Sequence, residues 1–170
     1  FPSVDDILNQ ASQAVSHLRA ALDICTENGL ASRLQHKEIQ LAKVIQLAAG
    51  TEVFALSSEG WVNSGSTFEL VQECHVGAAE TVETQWDLPP GWGETRNNVT
   101  LTADAQPHNG YRSFYDPLSP SAPALVASIH THGVTVQTRH ALVNPPVLLP
   151  PVRCDVTTDR AVLNSNLPNL

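Results

Sequence analysis

The sequence predicts an α+β fold. It has an N-terminal helical hairpin over residues 1–50, a β-rich, antiparallel, sandwich-like domain over 51–143, and an extended Pro-rich C-terminal arm over 144–170. Three observations carry this reading. Apolar residues recur at three- and four-residue steps up to Gly50, and from Thr51 they alternate instead. Eleven of the 12 prolines lie beyond residue 88, where fixed φ and a missing donor exclude compact helix.

The first helix is expected over residues 3–27. Ile7, Leu8, Ala11, Ala14, Val15, Leu18, Leu22 and Cys25 form one stripe, Ser3 with Asp6 resembles a capping box, and Asn28-Gly29 supplies a stop. A second helix is expected after Ser32, with Gln35 three residues on, and runs through Leu34, Leu41, Ile45 and Ala48 to Gly50. The short link makes the pair antiparallel. Each apolar stripe is narrow, so the hairpin must pack on its own β domain or on neighbouring copies.

Glu52 to Leu56 and Thr67 to Val71 read as a β-hairpin with a long Ser/Gly-rich loop from Ser57 to Ser66. Further strands are expected at Glu80 to Trp86, Asn98 to Thr102, Leu125 to His132 and Val134 to Leu142. Pro89-Pro90, Gly91 and Gly93 mark a loop flanked by Trp86 and Trp92. Residues 117–123 and 144–151 must be extended or turn-like. The apolar run Pro145, Pro146, Val147, Leu148, Leu149, Pro150 and Pro151 is expected to dock across a neighbouring subunit as an interface arm.

Composition narrows the function. The 170 residues suffice for one core without a disulfide framework or structural metal. A net charge of −8 argues against nucleic-acid binding, which needs clustered Lys and Arg, and Lys37 and Lys43 are the only lysines. The acids concentrate late, with 5 acids and 4 bases in residues 1–50 against 12 and 5 in the rest. A charged fraction of 15% beside 42% apolar residues is low for a chain that covers its surface alone, so part of that surface is expected to meet other subunits. No stretch approaches the roughly 20 apolar residues of a membrane span, and none is expected. Cys25, Cys74 and Cys154 allow at most one disulfide and form no CxxC pair. With Phe1 at the start and no methionine, the chain reads as a processed or excised product.

The apolar run Ala124 to Ile129 leads into His130-Thr131-His132-Gly133. A strand there would aim both imidazoles to one side, the way two metal ligands are presented. This arrangement resembles the core of the JAB/JAMM zinc hydrolases, in which a hydrophobic strand ends in His-x-His. The resemblance covers about ten residues and implies zinc on His130 and His132, with Glu52 or Glu59 as general base. The family's downstream Ser-x-x-Asp is missing, since residues 133–153 hold no carboxylate. Asp155, Asp159 or His140 is left as the third ligand.

Other motifs have simpler readings. Asn63-Ser64-Gly65-Ser66 reads as a flexible hairpin loop, not a nucleophile elbow. Cys74 and His75 are adjacent on a strand and so point apart, which leaves Cys74 a buried thiol. Gly91-Trp92-Gly93 lacks the third glycine and the helix of a phosphate loop. Asn98-Val99-Thr100 is a formal glycosylation sequon that more simply begins a strand.

The function expected from these features is a structural or assembly subunit of a homo-oligomeric particle, most concretely a virion capsid, cement, tail or fibre protein. It needs no cofactor, nucleic acid or membrane. One alternative is the zinc-dependent hydrolase. Another is an extracellular recognition module with Trp61, Trp86 and Trp92 exposed on loops, against the simpler reading that these tryptophans are core.

Overall fold

A computed structural model describes residues 2–96, 98–105, 120 and 122–149. Among the described residues two helices, α1 (Val4–Ile24) and α2 (Asn28–Ala49), precede nine strands: β1 (Glu52–Ser57), β2 (Trp61–Val62), β3 (Thr67–His75), β4 (Thr81–Asp87), β5 (Trp92–Thr95), β6 (Asn98–Leu101), β7 (Ala124–Thr131), β8 (Val134–Ala141) and β9 (Val147–Leu148). The expected α+β class is what the chain adopts.

The capping box forms as expected. Ser3 Oγ accepts from the Asp6 amide at 3.1 Å, and the Ser3 amide donates to Asp6 Oδ2 at 3.1 Å. The boundary between the helices differs. Asn28 and Gly29 open α2 instead of stopping α1, and the Ala31 amide already donates to the Glu27 carbonyl. Weak helix formers cost little in a first turn, where the amides lack intrahelical partners in any case.

Seven of these strands form two packed sheets, and β2 and β9 form a separate parallel pair. One sheet has the order β1-β3-β6-β5, and the other has the order β4-β7-β8, all antiparallel. Between them Val53, Ala55, Phe68, Leu70, Val99 and Leu101 meet Trp86, Leu125 and Ala127. Trp92, expected beside a loop, begins β5 and packs edge-on against Phe68 with ring centroids 5.6 Å apart. The sequence reading missed β5 because Gly93 and the preceding prolines mimic a loop. Only two residues of β5 pair in register beyond that glycine, Glu94 with Val99 and Thr95 with Asn98.

The inward face of β7 is shared along its length. Leu125 and Ala127 face the other sheet, while Ile129, with Val136 of β8, packs under Leu8, Val15, Ala42 and Ile45 of the helices. The hairpin therefore packs on its own β domain. Full burial of each large aliphatic side chain there stabilises the fold by roughly 1.5–3 kcal/mol.

The first part of the C-terminal arm also docks within the chain. The amides of Val143, Val147 and Leu149 donate to the carbonyls of Ala55, Gly60 and Val62, and Asn144 bonds both backbone groups of Ser57 through its side chain. This segment runs parallel to residues 55–62, with β9 paired to β2. Pro146 is buried and Leu148 packs on the core, so the chain itself covers these two residues of the arm, while Pro145 and Val147 stay exposed. Pro150, Pro151, Asp155 and Asp159 lie outside the described residues.

Candidate functional site

The His-x-His motif does not present two ligands to one side. His130 is the last histidine within β7, but His132 and Gly133 are the two central residues of the β7–β8 turn, with φ of 47° and 75°. Two positive φ values in a two-residue hairpin are the signature of a type I′ turn, in which strand alternation no longer applies. The His130 ring bonds Thr135 Oγ1 at 2.8 Å across the hairpin. His132 Nδ1 lies 2.9 Å from the Thr131 hydroxyl and Nε2 lies 3.1 Å from Asp5 Oδ1 of α1, while its amide donates to Glu80 Oε1. The Asp5 contact ties the turn to the start of α1, and the Glu80 contact ties it to the segment before β4.

The remaining residues of the zinc alternative are scattered. His130 stands opposite Thr135, whereas His140 stands opposite Leu125, whose side chain faces the core. The strand alternation therefore puts these two histidines on opposite faces of the sheet. Glu52 is exposed at the start of β1 across from His75, and Glu59 is exposed in the loop before β2. Among the described residues no three His, Cys, Asp or Glu side chains form a metal-binding group. Cys74, expected to be buried, is exposed on β3. Of the three tryptophans, Trp86 and Trp92 are core, which removes them as loop contacts, and only Trp61 stands out in solvent.

A cleft does form, away from the His130-Thr131-His132 turn. It lies between β1, β8 and α2. Its cavity of about 490 Å³ is lined by Ile39, Lys43, Val53, Phe54, Thr138 and His140, among others. Counting outward from the β7–β8 turn, Gln137, Arg139 and Ala141 turn their backbone groups away from β7. The Thr135 carbonyl on the same edge accepts from Arg19 Nη2 at 2.8 Å, as this geometry requires.

Lys43 brings a positive charge to this cleft. Lys43 Nζ donates to Gln46 Oε1 at 2.9 Å, and among the described residues no carboxylate pairs with it. Arg139, by contrast, is occupied by Asp87 and the Pro120 carbonyl. His140 shares a hydrogen bond with Thr138 Oγ1 at 2.9 Å; burial, and then the nearby Lys43 charge, push its pKa down to about 4. The imidazole is therefore neutral at physiological pH. Lys43 was visible in the sequence only as one of two lysines, and nothing there linked it to His140.

No protein-family description, curated protein or solved structure matches this chain.

Proposed function

We propose that this chain is a structural or assembly subunit of a homo-oligomeric particle, in its most concrete form a virion protein of the capsid, cement, tail or fibre kind. The observation that carries the reading is a band of outward apolar side chains. Phe54 and Leu56 of β1 point away from the core, Leu56 opposite Val71 of β3, and Val143 runs beside β1 with 71% of its surface exposed. Trp61, 67% exposed, continues the band next to its register partner Val147.

These side chains come from neighbouring strands, so they adjoin one another instead of being scattered singly over the surface. Contiguous apolar surface of this kind marks an association face. A second copy of the chain is the partner that fits the low charge of the sequence, because identical bands can bury each other about a two-fold axis.

Native mass spectrometry of the full chain tests the reading. The expected result is a discrete homo-oligomer that the double substitution Phe54→Ser, Trp61→Ser returns to monomer. A parent chain that stays monomeric across the micromolar range, or an oligomer indifferent to the double substitution, would overturn it.

A further inference from the structure

The geometry points to the cleft between α2, β1 and β8 as a binding site for a small organic anion, an apolar body ending in a carboxylate. It goes beyond the assembly reading and shares Phe54 and Val143 with the band proposed there. The cavity of about 490 Å³ lies inside the roughly 300–1,000 Å³ range of small-molecule sites. Its wall is two-part. Ile39, Val53, Phe54 and Val126 supply apolar surface, while Lys43, Thr138 and His140 supply polar groups.

Charge decides the sign of the ligand. Lys43 is partly buried and has no carboxylate partner among the described residues, although the chain as a whole carries −8. An ammonium left without a counterion beside apolar walls gains from an incoming carboxylate through a charge-assisted hydrogen bond, and burial of the ligand's hydrocarbon adds the hydrophobic term. Arg139 lines the cleft too, but Asp87 already neutralises it, so a single anionic group is matched and a dianion is not. His140 is the other titratable group facing the cavity. Its free state is neutral because burial, and then the Lys43 charge, oppose its protonation, and a carboxylate bound at Lys43 removes the second of these.

The probes are octanoate and octanol, titrated into the full chain and followed by amide shifts and by the His140 ring resonances. Octanoate is expected to shift the amides of residues 53–55 and 137–141, to bind about tenfold more tightly than octanol, and to raise the His140 pKa above its free value. Lys43→Gln is expected to weaken octanoate about tenfold and to leave octanol unchanged. Octanoate and octanol binding equally well, shifts confined to other residues, or no saturation by octanoate at roughly 10 mM would each overturn the assignment. The octanol comparison uses the unaltered chain, so the result stands even where Lys43→Gln folds poorly.

Discussion

The covered face of β7 and β8 and the open face of β1 are built from similar side chains and have opposite fates. Ile129 and Val136 are fully buried because two helices lie across them, held by Leu8, Val15 and Ile45. On β1, Val53 and Ala55 turn inward to the core while Phe54 and Leu56 turn outward and remain exposed. A strand that is apolar on both faces is the pattern of a sheet covered on both sides. Here the chain itself covers one side only. The lesson is that the same local sequence can be core or contact surface, depending on whether another element of the chain reaches it.

The largest effect is expected where the covering element is locked down. Gly77 sits at φ +63° against the end of α2, and a Cβ there would lie 2.1 Å from the Ala49 carbonyl oxygen. The adjacent Ala78 amide donates to that same oxygen at 2.7 Å, so backbone meets backbone and neither side can yield. Gly77→Ala is expected to cost about 4 kcal/mol or more in denaturant unfolding, from the clash and the strained φ together. A loss below about 1 kcal/mol would mean that the helices are not clamped in this way.

Ile129→Ala removes a fully buried side chain from the same interface and is expected to cost roughly 3 kcal/mol. Chemical denaturation of the variant checks this. An effect no larger than that of a surface substitution would show the hairpin loosely docked. Next comes Asn144→Ala, which deletes both bonds from Asn144 to the Ser57 backbone and is expected to cost about 1–2 kcal/mol. The amide of Leu149 should then exchange faster with solvent, since its bond to Val62 lies further along the same docked segment.

His140 adds a pH-dependent term at the cleft. Its folded pKa is lowered from 6.5 to about 4, so between those values the unfolded chain binds the proton and the folded chain does not. The contribution is complete above pH 6.5 and is lost as the pH falls toward about 4. Because the cleft is open to solvent, the effect is discounted to the order of 1 kcal/mol. Comparing the pH dependence of the melting temperature for the parent and His140→Gln isolates it, and identical slopes between those pH values would refute it.

The smallest effect on stability is expected at the open face. Phe54→Ser should change monomer stability by no more than about 0.5 kcal/mol, since its side chain is 50% exposed. A large loss would place Phe54 with the covered face and erase the contrast between the two regions.

Features that depend on neighbours along the chain were legible in the sequence. The change of period at Thr51 separated helices from strands, the Ser3–Asp6 cap started α1, and alternation located β1, β6, β7 and β8 to within a residue or so. Those signals are local because side-chain direction follows from backbone geometry alone. The tertiary structure decided what each exposed or buried position meets. It put His132 into a turn instead of a strand, drew Trp86 and Trp92 inside, and laid residues 143–149 along β1 and β2. It also brought Lys43 of α2 and His140 of β8 to one cavity, a meeting set by how the helix lies against the strands. No periodicity encodes such a meeting, because it depends on the relative placement of elements nearly a hundred residues apart in the sequence.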